Sequence, residues 1–284
     1  MLQTTRSYRG MVTAPHHLAA QAGLSVLSEG GNAIEAMIAA AATIAVVYPH
    51  MNGLGGDGFW LIGRAGAPPI GIQACGRSAL GADRNWYRER GCAAIPARGP
   101  LSTLTVAGTV DGWQRAQNVS RQQYGGRLPM SRLLQDAIRY AWEGVPVPRT
   151  IHHSANLKRA ELENVPGFAD VYLPEGKPLA AGAKFRQPRV ADALARLSQA
   201  GLSDFYRGDL ARSMASDLEK LGSPLRLADF ERYRATTVTP LSLEVAGHTL
   251  FNMTPPTQGL ASLMILALYA RRLADKADGV DHLH

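Results

Sequence analysis

Residues 30–63 restrict the fold of this chain most, because two glycine clusters there bracket a long apolar run: GGNAIEAMIAAAATIAVVYPHMNGLGGDGFWLIG. Residues 33–47 are rich in Ala, Met and Ile, which favour or tolerate a helix, and Pro49 ends any helix there. Residues 59–62 are aromatic and apolar and are followed by Gly63, as expected of a buried strand. The sequence therefore predicts a helix, a glycine-rich turn and a strand, in that order.

The second glycine cluster, G-L-G-G-D-G at residues 53–58, has the G-x-G-x-x-G spacing of a dinucleotide-binding loop. Such a loop follows a strand and opens a helix, because the helix N-terminus supplies free N–H groups to the pyrophosphate. Here the order is reversed. We therefore predict a structural turn in which alanine at Gly55 or Gly56 lowers stability through a packed or positive-φ position. A nucleotide-binding oxidoreductase remains an alternative that rests on this spacing alone.

Composition indicates an ordinary globular protein of 284 residues, with 46% hydrophobic and 19% charged residues. The most apolar run, residues 36–47, is shorter than the roughly 20 residues that cross a bilayer, so no membrane association is expected. The first residues lack the apolar core of a secretory signal, and two cysteines cannot form a disulfide framework. We expect a cytoplasmic protein.

The net charge of +7 suggests nucleic acid as a partner, but the basic residues are scattered along the chain. Their densest group, Arg84, Arg88 and Arg90, is interleaved with Asp83 and Glu89. This alternation is typical of a solvated helix face, so we expect no nucleic-acid partner.

The histidines do not have the spacing of metal ligands. They include two adjacent pairs and two residues at the chain's end: His16, His17, His152, His153, His282 and His284. Neighbours in sequence on a helix point away from each other. We therefore predict neither a metal nor any other cofactor.

The remaining pattern predicts an α+β chain with a helical insertion, divided into a mixed α/β region (residues 1–110), a mainly helical region (111–238) and a return region (239–284). A strand-like entry is expected at residues 11–15, and a turn at Pro68-Pro69 before a return strand over 70–75. Strand-like alternation recurs over 240–252. Helices are predicted over residues 17–29, 33–47, 112–124, 131–143, 191–200, 208–221 and 259–275.

Eight segments in order resemble the γ-glutamyltransferase family of N-terminal nucleophile hydrolases. They are GMVTAPHHLAAQAG, GGNAIEA, GLGGDGFWLI, VAGTVDGW, FRQP, DFYRG, LADFERY and PPTQG, which together cover nearly the whole chain. The resemblance implies a four-layer αββα fold and a precursor that cuts itself to free an N-terminal threonine on a small subunit. That threonine attacks an amide, with its own α-amine as base, and forms an acyl-enzyme.

In the family the nucleophilic threonine lies well after the segment that matches PPTQG, and this chain ends near the helix that follows. We therefore expect no catalytic residue in this chain and a small subunit, carrying the threonine, as its partner. A dimer of such heterodimers is also expected.

The resemblance implies one substrate-binding residue here, Arg77. In the family an arginine in a pattern like R-E-x-A-P pairs with the substrate carboxylate, and the matching stretch is G-R-S-A-L-G at residues 76–81. A guanidinium binds a carboxylate bidentately. The glutamate and the Ala-Pro pair of the pattern are missing, so we expect an amidohydrolase of a small carboxylate amide such as oxamate. The alternatives are a γ-glutamyltransferase or glutathione hydrolase proper, and a non-catalytic homologue.

Overall fold

The computed structural model describes residues 4–272. The helices of these residues, α1 to α13 in chain order, are His17–Ser28, Ala33–Val47, Arg84–Arg88, Thr109–Gln123, Met130–Glu143, Arg149–Leu157, Arg159–Leu162, Phe168–Tyr172, Pro188–Ala200, Asp204–Arg207, Asp209–Lys220, Leu227–Arg232 and Gly259–Arg272. The strands, β1 to β7, are Gly58–Arg64, Ala67–Ala74, Val145–Pro146, Lys184–Phe185, Thr236–Val238, Leu241–Val245 and His248–Asn252. No helix in residues 4–272 is long and apolar enough to span a bilayer.

Helix α2 has the predicted bounds because both of its ends are defined locally. The Asn32 side chain accepts hydrogen bonds from the backbone N–H groups of Ile34 and Glu35, and the Glu35 carboxylate accepts one from the N–H of Asn32. Gly30, at a φ of +85°, ends α1 just before this capping box. The prediction of both helices is confirmed.

Helix α2 is also the centre of the hydrophobic core, and it is buried on nearly every face. It packs against α1, α4 and α5, so one continuous core joins the mixed α/β region to the helical region. Glu35 lies inside this core, where its second oxygen accepts a hydrogen bond from the N–H of Leu128 at 2.7 Å. The buried charge is thus tied to backbone donors on two segments.

The main sheet is antiparallel, with the strand order β1-β2-β5. The predicted strand at 59–62 and the return strand are confirmed, but the turn expected at Pro68-Pro69 is wrong because both prolines lie inside β2. Strand β5 pairs only with Gly71, Ile72 and Gln73 of β2. The prolines lie beyond that pairing and need not donate to β5.

The helical region follows the predicted elements with shifted ends. The helices expected at 112–124, 131–143, 191–200 and 208–221 correspond to α4, α5, α9 and α11. The strand-like entry at residues 11–15 is wrong, since the described chain offers this extended segment no ladder partner. Short helices such as α6 to α8 lacked a sequence signal because fewer than three turns give little apolar periodicity.

The last described elements return to strand and helix, as expected. Strands β6 and β7 form a two-stranded hairpin over the predicted region 240–252, and α13 packs against both. The predicted helix at 259–275 corresponds to α13 up to Arg272. Residues 273–275, His282 and His284 lie outside the described part of the chain.

Candidate functional site

Arg77 lies in the segment that leaves β2, and backbone hydrogen bonds hold this segment from two sides. The N–H of Gly76 donates to an oxygen of Asp57 at 2.9 Å, and the carbonyl of Arg77 accepts from the N–H of Val106 at 3.0 Å. A Cβ on Gly76 would lie 1.7 Å from the carbonyl oxygen of Val106. Glycine is therefore required immediately before Arg77, and the guanidinium starts from a fixed backbone.

The glycine-rich loop at residues 53–58 positions this segment. Its Gly56 carbonyl accepts hydrogen bonds from the N–H groups of Gly108 and Thr109, at 2.9 and 3.0 Å, and its Asp57 accepts the hydrogen bond from Gly76. The loop joins the end of α2 to β1, the reverse of a dinucleotide-binding loop. The structural interpretation of the loop therefore agrees with its contacts.

The prediction that Gly55 and Gly56 occupy packed or positive-φ positions is wrong. A Cβ on Gly55 would meet no atom within 4 Å, and one on Gly56 would meet only the carbonyl oxygen of Gly53, at 3.7 Å. Neither residue has a positive φ. The close backbone approaches lie instead at the loop's partners: a Cβ on Gly108 would lie 2.1 Å from the carbonyl oxygen of Ala74.

Arg77 lines a small cavity of about 80 Å³ that we call the Arg77 pocket. Its lining residues come from the segment after β2, from Val106 and from α12 with the residue after it: Arg77, Ser78, Leu80, Val106, Asp229, Arg232 and Tyr233. Segments far apart in sequence thus meet at one place. The sequence prediction contained only the first of these residues.

The carboxylate of Asp229, which is the anionic group of the pocket, already accepts two hydrogen bonds from backbone N–H groups. One oxygen of Asp229 accepts from the N–H of Leu80 and the other from the N–H of Arg226, both at 2.9 Å. By contrast, within residues 4–272 neither Arg77 nor Arg232 forms an ion pair or a side-chain hydrogen bond, and both are exposed. The pocket therefore presents two unpaired guanidinium groups beside one bound carboxylate.

Tyr233 forms a buried wall of the pocket, with 3% of its surface exposed. Burial raises the pKa of Tyr233 above its usual value, and nearby Asp111, Cys75 and Asp57 add to the rise. The phenol is therefore neutral at physiological pH. Together with Leu80 and Val106 it supplies the apolar part of the lining of the pocket.

Arg84 and Arg88 are exposed on α3, as the sequence predicts, and Arg90 follows just beyond with its guanidinium 3.8 Å from the centre of the Trp86 ring. None of the three lines the Arg77 pocket.

The first histidine pair also lies outside the Arg77 pocket. The rings of His16 and His17 stack on each other, with their centres 4.6 Å apart, which is a packing contact.

Comparison with known proteins places these features in a family. The family profile described as Gamma-glutamyltranspeptidase matches residues 19–283. The chain belongs to the γ-glutamyltranspeptidase family. It is 49% identical to the oxamate amidohydrolase proenzyme of Klebsiella pneumoniae over 278 residues, which cover 98% of this chain and 52% of the relative.

Two further similarities extend this result. The chain is 38% identical to the glutathione hydrolase-like YwrD proenzyme of Bacillus subtilis, over 90% of this chain and 48% of the relative. The crystal structure of cephalosporin acylase from Bacillus halodurans superposes with a TM-score of 0.86 at 31% identity, covering 94% of this chain and 50% of that one. The predicted family and the α+β fold of its N-terminal nucleophile hydrolases are thereby confirmed. The chain spans about half the length of the curated relatives it matches.

Proposed function

We propose that this chain is the large-subunit part of a threonine-nucleophile amidohydrolase acting on a small carboxylate-bearing amide of the oxamate type. The observation that carries the proposal is the unpaired guanidinium of Arg77 in a cavity of about 80 Å³. Pockets that enclose drug-sized ligands measure about 300 to 1,000 Å³, so this one suits a group the size of a carboxylate. The similarity to an oxamate amidohydrolase proenzyme supports the same substrate class.

The proposed reaction needs a nucleophile that the chain does not supply. In the complete enzyme the threonine hydroxyl attacks the amide carbonyl of oxamate while its α-amine takes up the proton. Ammonia leaves with a proton, and an oxalyl ester forms on the threonine. Water then cleaves this ester to release oxalate. The role of the present chain is to hold the carboxylate at Arg77 so that the adjacent amide faces the nucleophile.

We further propose a small subunit, carrying that threonine, as the partner of this chain. The outer face of β1 exposes Phe59 and Leu61, with 39% and 46% of their surface accessible. Helix α13 exposes Met264 and Ile265, at 55% and 65%. A second sheet packed on the outer face of β1 would cover Phe59 and Leu61 and complete an αββα arrangement, and the same partner is proposed to cover the exposed side chains of α13. The dimer of heterodimers and the cytoplasmic location stay predictions.

Substrate preference tests the proposal directly. We expect the processed full-length enzyme to hydrolyse oxamate with a kcat/KM at least about tenfold above that for a γ-glutamyl anilide, because the larger amino-acid head group does not fit the pocket. Ammonia release and anilide absorbance measure the two rates. A preference for the γ-glutamyl substrate would favour the glutathione hydrolase alternative, and inactivity on both would favour a non-catalytic homologue.

A further inference from the structure

The second guanidinium group of the Arg77 pocket belongs to Arg232, the last residue of α12, which lies far from Arg77 in sequence. We propose that Arg232 binds the substrate carboxylate together with Arg77 and discriminates against substrates with an α-ammonium group. The proposal rests on the proposed function, because it concerns the same site and the same substrate.

The charge balance of the pocket supports this role. Arg77 and Arg232 supply two positive charges, and Asp229 supplies one negative charge whose two oxygens already accept backbone N–H groups. Neither arginine has a counter-ion within residues 4–272, so an anion that enters the pocket meets net positive charge. Such a cavity attracts the carboxylate group of a substrate.

The same charges disfavour an amino-acid head group. A γ-glutamyl substrate carries an α-ammonium group beside its α-carboxylate, so it brings a cation towards Arg232 once Arg77 holds the carboxylate. Oxamate carries no ammonium group. Arg232 is thus attractive towards one substrate class and repulsive towards the other, which is how a site gains specificity rather than affinity alone.

The small size of the pocket also favours oxamate over an amino-acid head group. At about 80 Å³, with the apolar side chains of Leu80 and Val106 and the ring of Tyr233 in its lining, it has room for a carboxylate but not for a whole amino-acid head group. The backbone of Tyr233 is fixed in turn, since its carbonyl accepts a hydrogen bond from Arg207 at 2.7 Å. Arg232, immediately before it, therefore projects from an anchored position.

Binding of two probes to the processed full-length enzyme tests the proposal without any turnover. Pyruvate is an isostere of oxamate in which a methyl group replaces the amide nitrogen, and L-glutamate carries the α-ammonium group. Titration calorimetry of Arg232→Gln should show the dissociation constant of pyruvate raised by about tenfold and that of L-glutamate unchanged or lowered. Arg232→Lys, which keeps the charge without the planar fork, should lie between Gln and the parent.

Arg189→Gln is the matched control, because Arg189 is an exposed arginine on α9, outside the pocket. It should bind both probes within about twofold of the parent, and all variants should share the parent's melting temperature. Pyruvate affinity within twofold in Arg232→Gln, an equal loss in Arg189→Gln, an equal loss for L-glutamate, or no pyruvate binding by the parent would each overturn the inference. If these binding results held but the parent did not hydrolyse oxamate, the proposed function would be refuted, and Arg232 would remain only a carboxylate-binding residue of the pocket.

Discussion

Arg77→Ala in the processed full-length enzyme is expected to raise KM for oxamate strongly. The fall in kcat/KM should correspond to a loss of about 2 to 5 kcal/mol of transition-state stabilisation. The physical reason is the loss of a guanidinium that has no other partner in residues 4–272 and lines a cavity sized for a carboxylate. Arg77→Lys should recover only part of the loss, since a point charge cannot reproduce two parallel hydrogen bonds. Steady-state kinetics on oxamate measure both effects.

Formamide, which is oxamate without its carboxylate, separates binding from folding in this experiment. The parent should strongly prefer oxamate to formamide, whereas Arg77→Ala should barely distinguish them. The exposed Arg88 on α3 provides the control substitution, Arg88→Ala, which should keep the parent's preference. If Arg77→Ala also kept that preference, or if its only defect were a lower melting temperature, Arg77 would not be the carboxylate anchor.

Gly108→Ala is expected to lower the free energy of unfolding by about 3 kcal/mol, the upper part of the range for overpacking. An added Cβ would lie 2.1 Å from the carbonyl oxygen of Ala74 and 2.5 Å from the hydroxyl oxygen of Tyr233. The first of these is backbone in β2 and has little freedom to move. Urea denaturation of the two proteins gives the difference directly.

Gly55→Ala is the matched comparison, because the same added methyl group meets no atom within 4 Å there. We expect a change within about 1 kcal/mol of zero. Comparable destabilisation by both substitutions would show that close approach is not what distinguishes the two glycines. A neutral Gly108→Ala would contradict the close approach of Gly108 to the carbonyl oxygen of Ala74 at the end of β2.

The sequence predicted elements whose limits are set by local chemistry. Helix α2 was correct at both ends because Asn32 and Glu35 form a capping box and Pro49 follows closely. The strand expected at 11–15 failed because a strand needs a partner, which local pattern does not supply. The prolines of β2 were assigned to a turn because proline cannot donate a hydrogen bond to a neighbouring strand. They are tolerated in β2 because β5 is too short to reach them, which depends on the tertiary structure and is not visible in the local sequence.

The site was less accessible to sequence reasoning than the fold. Arg77 was found only through the family motif, since a single arginine has no periodic signal. Arg232 and Tyr233 lie in the recognised segment LADFERY, yet nothing in their spacing predicts a cavity shared with Arg77. The same holds for Gly76 and Gly108, whose need for glycine comes from backbone atoms brought close by folding.

Ammonia release from oxamate, measured side by side for this chain alone and for the processed full-length enzyme, tests the central claim most directly. The claim is that residues of this chain bind the carboxylate while the nucleophile lies on a partner subunit. It predicts turnover by the full-length enzyme and none above the buffer rate by the chain alone, because binding without a nucleophile gives little covalent catalysis. Turnover by the purified chain alone, or none by the full-length enzyme, would contradict it.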